Sequence, residues 1–325
     1  MKYFLCKTYY TDYTSARKQK MKRGFKLQRE AKEWEQGFLS KQSAQPSMPF
    51  RVLADLYLED KKAHCKLITY ETKKNRIDTW ILSYFDRQPL NSIDAKDIRK
   101  WQSDLKEATG QTGKSLSPGY MQNLVTELSS IFNFAIRFYG LSVNPCVIAG
   151  NAVGKKQKSL SFCTKDEFDR FIQTFEKDDP YYTAFLILYF CGLRIGELEA
   201  LTVSDIDMEQ HTLSVNKTYH LINGKGITTT PKTAKANRVI LLPDFLADRI
   251  REYESHIYHP LPDTRLFLLS HSSYARTLET HTKTADIKRI RLHDIRRSNA
   301  SLLIDMGFSA LLVSERLGTK VYQRP

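Results

Sequence analysis

The sequence predicts a multidomain α+β protein. It should hold a small α+β domain at the N-terminus, an all-α domain in the middle, and a mainly α C-terminal domain carrying a small antiparallel β-sheet. Three observations predict this. The 325 residues exceed what one hydrophobic core usually serves. Two stretches, "SAQPSMP" (43–49) and "VNPCVIAGNAVGKKQKSLSF" (143–162), have the Pro, Gly, Ser and Lys content of linkers. The apolar residues keep helical spacing up to 141, whereas a β-rich block bounded by helices follows the second linker. The expected domains are 1–45, 50–145 and 160–325.

Composition bounds the chemistry. With 41% hydrophobic and 26% charged residues the chain is ordinary globular material, but 50 Lys and Arg stand against 36 acids, a net +14. That surplus favours a polyanionic partner over a neutral one. Cys6, Cys65, Cys146, Cys163 and Cys191 are odd in number and scattered, so neither a disulfide framework nor a CxxC metal site is expected. The N-terminus has no apolar run of signal-peptide length, and "AFLILYF" (184–190) is too short to span a bilayer. A cytosolic protein with no membrane partner is expected.

The first 45 residues hold eleven Lys and Arg against four acids, half of the chain's surplus. Residues 2–10 and 22–27 read as strands around a basic turn, and "REAKEWEQGFL" (29–39) as a helix with Trp34 and Phe38 on one face. Lys18, Lys20, Lys22 and Arg23, interleaved with Tyr9, Tyr10 and Tyr13, suit a groove of duplex DNA. A solvated basic hairpin is the plain alternative. From 50 to 141, "FRVLADLYLED", "RIDTWILSYF", "DIRKWQSDLKE" and "YMQNLVTELSSIFNFAIRFYG" give four helices, the last opened by Ser117-Pro118 and stopped by Gly140. Lys155 and Lys156 in the second linker could follow a DNA backbone or simply be solvated.

The third domain opens on a capping box, Thr164 with Glu167, and a core face of Phe168, Phe171, Ile172 and Phe175. A buried helix, "YYTAFLILYFCGL", precedes the strands "TLSVNKTYHLI", "GITTT" and "RVILLP". Asn223-Gly224 marks the first hairpin, and "KTAKAN" (232–237) the second turn. Helices return at "DFLADRIREYESH", "HDIRRSNASLLIDMG" and "SALLVSERLG".

Within this domain four stretches concentrate chemistry. Arg194 sits where an apolar helix ends, and an arginine beside a core is costly unless it meets an anion. Glu197, three residues on, can orient it, although a plain Arg–Glu pair would look the same. His293 and Arg296, also three apart, project together and suit a phosphate; with Arg289, Arg291 and Arg297 nearby they could equally be a basic surface patch. Lys232 lies at a turn from which an ammonium can enter a groove, or remain in solvent.

Taken together and in order, "GLRIGELEAL" (192–201), "TPKTAKANRVILLP" (230–243), "HDIRRSNASLLIDMG" (293–307) and "SERLG" (314–318) resemble the boxes of the tyrosine recombinase, or phage-type integrase, family. The resemblance covers essentially the whole chain. Residues 50–141 look like the family's helical core-binding (SAM-like) domain, and "KRGFKLQREAKEWEQGF" is similar to the arm-type DNA-binding domain of mobile-element integrases.

The resemblance implies a catalytic domain in which Arg194 and Arg296 hold the scissile phosphate and Glu197 supports Arg194 and His293. Lys232 would protonate the leaving 5′ oxygen. His293 would assist proton transfer and hold a non-bridging oxygen. It implies cutting and rejoining of attachment-site DNA through a 3′-phosphotyrosine, with no cofactor and no metal. It further implies double-stranded DNA as partner, a tetramer on DNA, an excisionase or host DNA-bending protein as accessory, and a place on the bacterial nucleoid.

The last box departs from the family. Thr319 stands where a histidine or tryptophan is usual, and the nucleophilic tyrosine, roughly nine residues further on in the family, would fall beyond Pro325. Tyr322 is the only tyrosine after Tyr274, and no helical pattern surrounds it, so it reads as a coincidence rather than the nucleophile. "TKVYQRP" reads as an altered terminus or out-of-frame translation. The expectation is a chain that is C-terminally truncated and lacks its nucleophile, with Tyr322 or a tyrosine supplied by another copy as the ways cleavage could persist. The alternative is a catalytically dead DNA-binding protein that occupies attachment sites.

Overall fold

A computed structural model describes residues 4–11, 17–42, 48–110, 113–152, 161–222, 224–230 and 236–319; the side chains at 10, 11, 17, 18 and 40–42 are not among those described. The side chains of Lys18, Tyr10 and Tyr13, and residues Lys155, Lys156, Asn223, Lys232 and Tyr322, therefore lie outside the described residues. The chain divides into two compact units, 1–158 and 159–325.

The first unit begins with an antiparallel hairpin, β1 (Phe4–Thr11) and β2 (Arg17–Phe25), followed by α1 (Gln28–Gln42). Strand alternation separates the hairpin's faces. Cys6 and Thr8 are buried, whereas Leu5, Lys7 and Tyr9 are exposed. Trp34 of α1 lies 5.9 Å from Phe25 and stacks on Phe38 at 5.4 Å. The register pairs Lys22 with Cys6 and Lys20 with Thr8, but Arg23 with Leu5. Opposed residues point to one side, so Lys20 and Lys22 share the packed face and Arg23 shares the bare one with Lys7 and Tyr9. The Lys22 ammonium accordingly lies 5.5 Å from the Trp34 ring. The basic residues expected on one groove-reading face are divided between two.

A helical bundle follows: α2 (Phe50–His64), α3 (Leu67–Arg76), a π turn (Ile77–Ile81), α4 (Leu82–Phe85), α5 (Ala95–Glu107), α6 (Pro118–Tyr139) and α7 (Pro145–Ala149). Phe50, Phe85, Phe132 and Trp101 meet at the centre at 5.6–5.7 Å, each side chain worth about 1.5–3 kcal/mol for full burial. Trp101 Nε1 donates to the Trp80 carbonyl at 3.1 Å, taking up a group inside the π turn. Ser117 caps α6, and Gly140 ends it in the left-handed conformation at φ 69°.

Two expectations change here. The bundle holds more helices than the four expected, because 67–76 is helical without a clear apolar stripe. The stretch 143–162 is not all linker either. Asn144 caps α7 and donates to Ser129 and Asn133 of α6, and the Gln102 side chain brackets the Gly150 carbonyl and the Ala152 amide. Side-chain amides thus tie a Pro- and Gly-rich stretch onto the bundle.

The second unit contains α8 (Lys165–Ile172), α9 (Pro180–Cys191), α10 (Ile195–Leu198), strands β3 (Ile206–Asp207), β4 (Thr212–Val215), β5 (Thr218–Ile222), β6 (Lys225–Thr229) and β7 (Arg238–Leu241), then α11 (Asp244–Ser255), α12 (His271–Thr284), α13 (Leu292–Asp305) and α14 (Ala310–Arg316). The capping box of Thr164 and Glu167 is present. The aromatic face of α8 packs on α9, whose residues 183–189 are all buried. The strands form two sheets, β3-β4-β7 and β5-β6, rather than the single sheet expected. The break falls at Lys217, whose ammonium binds buried Asp205 at 2.6 Å and Thr202 at 2.8 Å, separating "TLSV" from "TYHLI". Among the described residues no helix is long and apolar enough to cross a membrane.

Candidate active site

The site is built where α9 stops. Gly192 takes φ 62°, and a Cβ there would stand 2.5 Å from Leu317 and 2.6 Å from Asn299, so only glycine fits. The chain then extends through buried Leu193 to Arg194, which opens the short helix α10. Three residues on, Glu197 is 3% exposed. Its Oε1 accepts from Arg194 Nη1 at 2.6 Å, and its Oε2 from the Arg194 amide at 3.0 Å. The pairing anticipated from spacing is therefore made, but it is not a plain pair. Arg238, at the start of β7, donates through Nη2 to Oε2 at 2.7 Å, and Arg296 Nη1 stands 3.8 Å away. Three guanidinium charges surround one carboxylate, leaving two uncompensated. Burial pushes the Glu197 carboxyl up, but the hydrogen bond and charge of Arg238, with the bonds from Arg194, hold it below its ordinary range.

Arg296 is 4% exposed. Its Nη1 donates to the Gly192 carbonyl at 2.6 Å and its Nη2 to that of Leu317. Asn299, one turn on, donates to the carbonyls of Tyr189 and Phe190. These are the unsatisfied carbonyls at the C-terminal end of α9, the negative pole of the helix. Burial, together with the Arg194 and Arg238 charges, draws the Arg296 guanidinium down to about 9, still protonated at neutral pH.

His293 precedes Arg296 by one turn and is exposed. Burial of part of its ring lowers its pKa, and the charges of Arg297, Arg296 and Arg194 lower it further, so it is neutral at pH 7. Beside it, Asp294 is 1% exposed and accepts from Arg291 through both oxygens, at 2.9 and 3.1 Å, and from Arg297 at 2.9 Å. Arg194, His271, Arg289, Arg291 and His293 line an open cleft of about 410 Å³. Among the described residues no group of three or more His, Cys, Asp or Glu is placed to hold a metal ion.

The structure thus brings Arg194, Glu197, His293 and Arg296 together, while Lys232 and Tyr322 lie outside the described residues. Sequence reasoning missed Arg238. Its signal was an arginine in phase with buried Ile240 along an apolar strand, where it needs an anion. Thr319 is described, and its amide closes α14 on the Ser314 carbonyl at 2.9 Å.

Buried Arg238 and Arg296 and half-exposed Arg194 stand beside a basic cleft, in a mainly helical domain with small antiparallel sheets, which is the architecture of a tyrosine recombinase. The chain belongs to the phage integrase family: residues 161–321 match "Phage integrase family", 50–106 "Phage integrase, N-terminal SAM-like domain" and 2–42 "Arm DNA-binding domain". It is 29% identical over 318 residues to the ICEBs1 integrase of Bacillus subtilis, covering 94% of this chain and 83% of that one. It is 24% identical to the integrase of Staphylococcus phage L54a over 84% of this chain and 85% of that one. The fold is that of the Tn1549 transposon integrase solved with a circular intermediate DNA, at a TM-score of 0.68, 20% identity, and coverage of 82% and 91%. A lambda integrase dimer bound to a core site superposes with a TM-score of 0.61 at 19% identity, covering 83% of this chain and 74% of that one.

Proposed function

We propose that this chain is a site-specific DNA recombinase, the integrase of a mobile genetic element, acting on double-stranded attachment-site DNA. The observation that carries the reading is the cluster of buried Arg238 and Arg296 with half-exposed Arg194 around the single carboxylate of Glu197. Desolvating that much uncompensated positive charge is costly, and a phosphodiester at the cleft mouth offsets it. Attack on phosphorus builds negative charge on the equatorial oxygens. Fixed guanidinium groups meet that charge without reorganising.

Arg194, 40% exposed, faces the cleft and takes the non-bridging oxygens, while Arg296 adds its charge from behind. His293 holds an oxygen and passes a proton, and Lys232 protonates the leaving 5′ oxygen. The attacking group is a tyrosine hydroxyl, from Tyr322 or from another copy, giving a 3′-phosphotyrosine that conserves the bond for rejoining. The basic N-terminal hairpin, with Lys18, Lys20, Lys22 and Arg23, holds arm-type sites, and Lys155 and Lys156 lie along the backbone. The same reading includes a tetramer on DNA, an excisionase or DNA-bending accessory protein, and a site of action on the nucleoid in the bacterial cytoplasm.

The test is a duplex carrying the attachment site, nicked beside the cleavage position so that religation fails. A covalent protein–DNA adduct that disappears in Arg194→Ala supports the reading, and its loss in Tyr322→Phe assigns the nucleophile. Specific binding with no adduct favours attachment-site occupancy without cleavage. Absence of specific binding at moderate salt defeats both, since phosphate-led binding should show a steep but measurable salt slope.

A further inference from the structure

We infer that Arg238 is a positioning residue for the phosphate site: it occupies Glu197 so that Arg194 stays turned to the cleft. The inference rests on the recombinase reading above and goes beyond it, because Arg238 touches neither substrate nor cleft.

The geometry is specific. The Arg238 side chain is 6% exposed and spans both oxygens of Glu197, with Nη2–Oε2 at 2.7 Å and Nη1–Oε1 at 3.3 Å. The same Nη1 donates to the Ala236 carbonyl at 3.1 Å. Ala236 is itself buried, so one guanidinium links the backbone just before β7 to Glu197. The β-ladder adds a second fixing point, since Arg238 pairs with Val215 at the end of β4.

A carboxylate offers about four lone-pair directions. Here Arg194 uses two of them, through its amide and one Nη, and Arg238 takes the others. Without Arg238, the freed carboxylate lobe would draw the rest of the Arg194 fork, or the Arg296 group already 3.8 Å away, into an internal ion pair. The cleft would lose an anion-binding group although Arg194 itself was intact. Lysine cannot replace the arginine, because a single ammonium cannot span both oxygens and reach Ala236 as well.

The experiment measures the phosphate contact directly and does not require cleavage. A series of attachment-site duplexes, each with one backbone phosphate replaced by a neutral methylphosphonate, is titrated with the full chain. The wild-type chain should lose about ten-fold in affinity at the phosphate that Arg194 holds, the size of a charge-assisted contact. Arg238→Gln and Arg238→Lys should reduce that loss to about two-fold or less and leave the losses at the other phosphates unchanged. The double variant Glu197→Gln/Arg238→Gln, which removes the competing carboxylate, should regain most of the ten-fold difference. A destabilised fold would lower affinity at every position and would not be repaired by a second substitution in the same cluster. Arg238→Gln keeping the full ten-fold loss, or a double variant no better than the single, overturns the inference. A wild-type chain with no methylphosphonate-sensitive position overturns the recombinase reading instead.

Discussion

Two buried carboxylates, one in each unit, are handled in opposite ways. Glu127 in the helical bundle is 4% exposed and among the described residues meets a single cation. Lys73 Nζ reaches its two oxygens at 2.8 and 3.0 Å, and the Tyr57 hydroxyl donates to it at 2.9 Å. Glu197 in the second unit is as deeply buried and meets three. The first arrangement is neutral and complete, and it asks for nothing from outside. The second carries an excess of two positive charges beside an open cleft, the arrangement that the proposed phosphate contact would balance. Stoichiometry of charge, more than burial or the presence of an ion pair, separates a carboxylate that holds a fold together from one that serves a site. A third, Glu199, marks the other extreme. It is 5% exposed, and its Oε1 has no hydrogen-bond partner among the described residues.

The largest expected effect comes from unbalancing the neutral pair. Lys73→Met leaves the Glu127 charge buried without a counter-ion and should destabilise the first unit by about 3 kcal/mol. Trp34, Trp80 and Trp101, the chain's three tryptophans, all lie in that unit, so their fluorescence in a urea titration reports it selectively. Adding Glu127→Leu should restore most of the loss. A single variant as stable as the wild type would break the comparison.

Glu199 sharpens it from the side of a carboxylate with no ion pair among the described residues, Arg265 acting on it only through its charge. Burial pushes its carboxyl up to about 7, with partial relief from the Arg265 charge. The folded value lies above the unfolded one near 4.5, so the neutral acid is favoured in the folded chain. The stability it contributes is full below pH 4.5 and is lost as pH rises through 7. Glu199→Gln should therefore stabilise the second unit by about 2 kcal/mol at pH 8 and change little at pH 4.5. Calorimetry at the two pH values checks this, and an equal effect at both would show that the carboxyl is not held neutral.

The smallest effect belongs to His293. Its pKa is lowered in the free chain by burial and three nearby arginines, and a bound phosphate would raise it again. Binding should then take up a proton, and affinity for attachment-site DNA should rise about three-fold between pH 7.5 and 6. Gel shifts with His293→Gln should show a flatter dependence; an unchanged slope would place the proton elsewhere.

Local signals were legible in the sequence and distant ones were not. The caps at Ser117 and Thr164 and the left-handed glycines 140 and 318 depend on a few neighbouring residues, and each is found where its residue type predicts it. The Arg194–Glu197 pair is likewise local. Arg238 carries a local hint in its phase with buried Ile240, but its partner lies 41 residues away, so the contact itself could not be read from the chain. The split into two sheets escaped for the same reason, since β7 pairs with β4 across the whole β5-β6 hairpin. Helix α7 escaped because it is only five residues long, although Asn144-Pro145 opens it and Gly150 ends it as Ser117-Pro118 and Gly140 do for α6.

Arg296 carries a consequence for any genetic screen of this chain. Its guanidinium joins the carbonyl at the end of α9 to the carbonyl at the end of α14 and is almost wholly enclosed. A loss-of-function allele at this position would report a collapsed joint between two helices as readily as a missing charge at phosphorus. Alleles at Arg194, which faces solvent and bears less of the architecture, separate the two meanings, so a saturation library weighted towards 194 would identify the chemistry while one weighted towards 296 would mostly recover folding defects.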